Sequence, residues 1–132
     1  RLQQYGHEHT KKWSAKIAEA DAFIFITPEY NYGYPGVLRN ALEFLHKEWQ
    51  YKAAGIVSYG GISAGTRSAN ALKGDLASLK IPALPEMVNV PMFTQFIKED
   101  GKFHPNDVTV KALDLVLNEL ARWTKGMLVI KG

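Results

Sequence analysis

The sequence of 132 residues contains no cysteine. Disulfides, thiolate metal sites and cysteine nucleophiles are therefore excluded, and a reducing compartment suits the chain. No stretch has the roughly 18–20 consecutive apolar residues that cross a bilayer. No basic segment followed by an apolar run marks a secretion signal. The expectation is a cytoplasmic protein without a membrane partner. Charge of one sign is also scarce: 16 Lys and Arg oppose 13 Asp and Glu, a formal +3. The basic residues are scattered, Lys11 and Lys12 being the only adjacent pair. The basic stripe of a nucleic-acid binder is missing, so no nucleic-acid partner is expected. A weak positive field of this kind favours phosphate-bearing small molecules.

What is present is enough apolar material, 46% of residues, for a packed core. No repeat, low-complexity tract or linker divides the chain, so residues 1–132 read as one domain. Residues 4–20 carry Trp13, Ile17 and Ala20 at helical spacing. Residues 22–27 read as a strand with Phe23 and Phe25 on one face and Ile24 and Ile26 on the other. Two apolar faces predict a central parallel strand covered on both sides, and Pro28 ends it because it has no N–H to donate. A helix over 36–47 follows, with Val37, Leu38, Ala41, Leu42 and Leu45 inward. Then come a strand over 53–59, a helix to about Lys80 with Leu72, Leu76 and Leu79 as its stripe, and a short strand over 87–90. Residues 91–104 read as a loop turning at Glu99-Asp100-Gly101. A last helix starts at Pro105 or Asn106 and runs to about Lys125, with Leu113, Val116, Leu117 and Leu120 as its face. This alternation predicts an α/β doubly wound parallel sheet.

Two loops leave the C-terminal ends of strands, where open α/β sheets bind their ligands. The first is Pro28-Glu29-Tyr30-Asn31-Tyr32-Gly33-Tyr34; the second is Gly60-Gly61-Ile62-Ser63-Ala64-Gly65. The glycines allow a flat ligand to approach the backbone. The tyrosines offer ring faces and hydroxyls. The helix starting near Gly65 adds N–H donors and a partial positive charge suited to an electron-rich carbonyl or reduced ring. Neither loop holds a nucleophile–base pair, so no catalytic side chain is assigned and a bound cofactor has to carry the chemistry. A plain tight turn is the alternative for Gly60-Gly61.

Thr27-Pro28-Glu29-Tyr30-Asn31, then Tyr34-Pro35-Gly36, then Leu38-Arg39-Asn40-Ala41-Leu42 resembles the NADPH-dependent FMN reductase family, with Arg39 where that family usually has Lys. Ser58-Tyr59-Gly60-Gly61, followed by Gly65 and Arg67, resembles its glycine loop. The resemblance implies a flavodoxin-like fold with FMN as cofactor and NADPH or NADH as reductant. The acceptor would be a small molecule: a quinone, azo compound, metal oxyanion or free flavin. It implies that Pro28, Glu29, Tyr30 and Asn31 border the flavin on one side and Ser58, Tyr59, Gly60 and Gly61 on the other. It also implies a homodimer or homotetramer, for which helix 36–47 and residues 44–51 supply apolar and aromatic groups. The family's sheet has five strands in the order 2-1-3-4-5, and its first turn cradles the FMN phosphate. Only three strands are legible here, and strand 22–27 matches the family's third. The chain starts at Arg1, and the expectation is that a strand–helix–strand unit with the phosphate turn precedes it, leaving strand 22–27 as an edge. A flavin carrier, or a catalytically silent flavin-binding or oligomerisation domain, is the competing reading.

The remaining polar candidates read blandly. Glu29 is expected to order its loop, contact a neighbouring chain or be solvated rather than move protons. Arg67 is a phosphate ligand or a surface charge. His7-Glu8-His9 does not share one helix face, so no metal site is expected. His46 and His104 show no partner in the sequence. Trp49 and Tyr51 are packing or interface residues, and Phe93 and Phe96 line an entrance or a satellite core.

Overall fold

The computed structural model describes residues 4–132. Its order is α1 (Glu8–Glu19), β1 (Ala22–Pro28), α2 (Gly36–Glu43), β2 (Ala53–Tyr59), α3 (Thr66–Ser78), β3 (Ala83–Val90) and α4 (Asp107–Lys131). The strands form one parallel sheet in the order β1-β2-β3. Strand alternation divides the core into two layers. Phe23, Ala54 and Ile56 meet α1, α2 and α3 through Ile17, Leu42, Leu72 and Leu76. On the opposite face Ala53, Leu84, Val88 and Val90 meet α4 through Val116 and Leu120. The predicted sequence of elements and the α/β class are both present.

Several expected boundaries and faces are corrected. Helix α1 starts at Glu8, and Tyr5 ahead of it donates its hydroxyl to Glu48 at 2.8 Å. Helix α2 ends at Glu43 rather than 47. The chain leaves the helix so that Leu45 and Trp49 both enter the core, and Trp49 Nε1 donates to the helix-end carbonyl of Leu42 at 3.0 Å. Val37, expected inward, is 80% exposed. Strand β3 begins four residues earlier than expected, with Pro85 inside it. Its register against β2 shifts between Ala54 and Ile56, and an irregular edge strand tolerates a residue without an N–H.

Of the two expected starting residues, Asn106 caps α4 by accepting from the Thr109 N–H at 2.9 Å. The helix nevertheless continues through Gly126 to Lys131. Its inner face is Ala112, Val116, Leu120, Trp123 and Met127, whereas Leu113 and Leu117 lie on an exposed flank. The expected turn near Gly101 is a hairpin: Gly101 has φ +75°, and Ile97 bridges Phe103.

Strand β1 is not covered on both faces. Phe23 and Thr27 are buried under the helices, but Ile24 and Ile26 on the other face are exposed. As the expected edge strand, β1 pairs only with β2 among the described residues.

Candidate functional site

Parallel pairing of Pro28 with Tyr59 brings both loops to one rim. In the first loop Tyr30 and Gly33 exchange backbone hydrogen bonds at 2.8 and 3.0 Å. Asn31 and Tyr32 between them have φ of 50° and 69°. This is a tight turn that places a tyrosine in the left-handed region. Tyr30 and Tyr32 project from it, 62% and 68% exposed.

The second loop is built around one side chain. Ser58 is fully buried, donates to the Ala64 carbonyl at 2.8 Å and accepts from Asn89 Nδ2 at 2.7 Å. These bonds hold Ala64 and Gly65 in consecutive left-handed conformations, φ 57° and 76°. The Gly60 N–H donates to Val90, and its carbonyl accepts from Phe93. The Gly61 carbonyl accepts from Ala64 and, at 2.9 Å, from Met92. Tyr59 packs edge-on against Phe93 at 5.1 Å. The two glycines differ in what surrounds them. A Cβ on Gly60 would lie 3.1 Å from the Gly65 nitrogen, whereas one on Gly61 would meet nothing within 4 Å. Neither has a positive φ; the glycine whose backbone requires one is Gly65. The N–H groups of Gly61 and Ile62 meet no acceptor among the described residues.

Glu29 does not face that open surface. Its carboxylate accepts from the Arg67 and Ser68 N–H groups at 3.1 and 3.2 Å, from Arg67 Nε at 2.8 Å and from Ser63 Oγ at 3.3 Å. It therefore caps α3 from 38 residues away. The Arg67 guanidinium first, then the Ser68 N–H and Ser63, hold its carboxyl below the usual range against the effect of burial. The other first-turn donors of α3 are also occupied: Thr66 by Ser63 and Ala69 by Gly65. The N-terminus of α3 is thus closed to an outside anion, contrary to expectation. Arg67, paired to Glu29, lays its guanidinium carbon 3.9 Å from the Tyr32 ring centroid.

The far end of the first loop is fastened as well. Tyr34 donates its hydroxyl to Asp75 of α3, and Arg39 donates to the same carboxylate at 3.0 Å. Burial first, then Asp75, pushes the Tyr34 pKa up to about 12. Asp75 and Arg39 line a separate cleft of about 320 Å³ between α2 and α3.

Ser63, Ser68, Asp75, Asn89 and Met92 all shape this rim and were not singled out in the sequence, because each meets a partner distant along the chain. His104, without a visible partner there, lies 2.9 Å from Asp100. The His46 backbone N–H donates to Glu48, and its ring Nε2 lies 3.4 Å from Gln50 Nε2. His7 and His9 stack, and among the described residues no group of three or more His, Cys, Asp or Glu could hold a metal. No described helix is long and apolar enough to cross a membrane.

Comparison with known proteins adds three findings. Residues 1–95 match the family model described as NADPH-dependent FMN reductase. An NAD(P)H-dependent FMN reductase of Schizosaccharomyces pombe is 51% identical over 83 residues, 63% of this chain and 41% of the relative. An NAD(P)H:quinone oxidoreductase of Solanum tuberosum is 35% identical over 124 residues, 84% of this chain and 61% of the relative. A solved flavoenzyme, an NAD(P)H:(acceptor) oxidoreductase from Paracoccus denitrificans, shares the fold with a TM-score of 0.74 at 23% identity, covering 92% of this chain and 70% of that one. The chain spans about half the length of the curated FMN reductases it matches.

Proposed function

Since the chain belongs to the NADPH-dependent FMN reductase family, we propose that it supplies the ring-binding wall of an NAD(P)H-dependent flavin oxidoreductase. The observation that carries this reading is the open face of Gly61, whose N–H and that of Ile62 meet no acceptor among the described residues, on the same rim as exposed Tyr30 and Tyr32. A flat, carbonyl-bearing ring fits that chemistry: close backbone approach, N–H donors for its oxygens, and aromatic flanks. A phosphate does not fit the described residues, because the α3 N-terminus and Arg67 are already occupied.

FMN held here would supply the redox chemistry that links NADPH or NADH as hydride source to a small electron acceptor. Quinones come first, as the names of relatives suggest, with azo compounds, metal oxyanions and free flavin behind them. The chain's own contribution is positional. Gly61 would admit the ring, its N–H and that of Ile62 would serve as donors to ring oxygens, and Tyr30, Asn31 and Tyr32 would limit water at the edge. Fixed donors of this kind favour added negative charge on the ring without reorganising. Ser58, Tyr59 and Gly60 act from beneath by holding the loop in shape. No side chain is assigned a proton-transfer role.

Residues 1–132 are proposed as one flavodoxin-like domain, with the phosphate cradle and two further strands on a preceding unit beside β1. Exposed Val37, Phe44 and Tyr51 suit a homodimer or homotetramer interface, while Leu45 and Trp49 serve this chain's own core. A cytoplasmic location completes the reading. The test is titration of the full encoded chain with FMN and NADPH. Quenched, retained flavin and NADPH oxidation in the presence of a quinone support it; absence of flavin binding at micromolar FMN overturns it.

A further inference from the structure

The first loop is strapped to α3 at both ends, by Glu29 at the helix start and by Tyr34 at Asp75. Between these anchors Tyr32 is held in a left-handed conformation with Arg67 against its ring. Arg67 is simultaneously the ion partner of Glu29 and, through Nη2, a donor to Ser63 Oγ of the glycine loop at 3.1 Å. One four-residue cluster, Glu29-Tyr32-Ser63-Arg67, therefore joins the two loops on either side of the open Gly61 face. We propose that Glu29 and Arg67 are positioning residues of the flavin site, fixing the spacing of the loops and the orientation of Tyr32 before any ligand arrives.

The proposal rests on the flavin reading above and adds roles that act through other residues. The Glu29 side chain is 8% exposed and its carboxylate accepts from the α3 N–H groups, so its effect reaches a ring only through the loop it anchors. The Arg67 guanidinium, 47% exposed, has one side on Tyr32. A left-handed tyrosine is strained and persists only where its surroundings enforce it. Without the clasp the loop is free to relax. The binding-competent arrangement then becomes a minor population, and the apparent Kd rises by the inverse of that fraction.

The experiment uses the full encoded chain and riboflavin, which carries the ring without the phosphate. Glu29→Ala and Arg67→Ala are compared with the parent for riboflavin Kd, thermal midpoint and amide hydrogen exchange. Glu29→Ala is expected to weaken riboflavin by about tenfold, matching a competent population of roughly one tenth. It also speeds exchange at the Arg67 and Ser68 amides while Leu72 is unchanged. Arg67→Ala is expected to weaken riboflavin several-fold with the thermal midpoint held. If Glu29→Ala does not fold, Arg67→Ala decides alone. Unchanged riboflavin affinity in folded Arg67→Ala overturns the positioning role while leaving the flavin reading intact. No riboflavin binding by the parent overturns both.

Discussion

Gly65 sits so close to Tyr59 that a Cβ added to it would lie 2.8 Å from the Tyr59 carbonyl oxygen and 2.9 Å from its nitrogen. Its φ of +76° already disfavours any side chain. Gly65→Ala is expected to destabilise by more than the roughly 1–3 kcal/mol of backbone strain alone. Gly101 separates the two effects: its φ is +75°, but a Cβ there meets nothing within 4 Å. Gly101→Ala should show only the conformational cost. Gly61→Ala should stay within about 0.5 kcal/mol of the parent. Urea denaturation of the three variants checks the ranking.

The same logic applies under α4. A Cβ on Gly55 would stand 2.9 Å from Val116 Cγ1. Gly55→Ala is predicted to overpack the interface by about 1–3 kcal/mol. Adding Val116→Ala removes the obstructing methyl groups, so the double variant should be more stable than the sum of the single losses. A double-mutant cycle by chemical denaturation measures that coupling; strict additivity would mean the helix is not seated on Gly55.

Acid stability should depend on Glu48. Burial opposes its ionisation, but donors from Ser14, its own N–H, Tyr5 and His46 prevail and hold its carboxyl below the ordinary value of 4.5. As pH falls below that value the unfolded chain binds the proton first, so stability is lost on going down through the folded pKa. Glu48→Gln should be less stable at neutral pH and should lose less on acidification. Glu29 contributes in the same direction. Thermal midpoints between pH 7 and pH 3 test the slope.

How far these features could be read from sequence depends on the range of the interactions behind them. The strand 22–27 and the loops after Thr27 and Tyr59 were legible because period-two apolar residues, Pro28 and the glycines are local signals. Strand β3 was half hidden, since it contains Pro85, and only an edge position accommodates a residue without an N–H. The break after Glu43 was hidden because Trp49 is drawn away from the helix by tertiary packing. The shared rim of the two loops was legible from the order of elements, and the parallel register of Pro28 with Tyr59 forms it. The turn of Glu29 toward α3 was not legible, because no local pattern links a residue to a helix start 38 positions later.

The bare side of β1 gives a prediction about the rest of the protein. Ile24 and Ile26 are 42% and 66% exposed on an edge strand with no charge to protect it. In the full encoded chain, amides of β1 that face away from β2 should be protected from hydrogen exchange. In residues 1–132 alone they should exchange rapidly, or the fragment should self-associate. Rapid exchange in both would mean that no further strand pairs with β1.

The central claim, that the rim around Gly61 receives the flavin ring, is tested most directly by amide spectra of the full encoded chain titrated with FMN. The account predicts that the Asn31, Tyr32, Gly61 and Ile62 resonances shift together and saturably, while Gly101 and Thr109, at the hairpin and the α4 cap, stay in place. Saturable binding that leaves Gly61 and Ile62 unmoved, with shifts concentrated elsewhere, would contradict it.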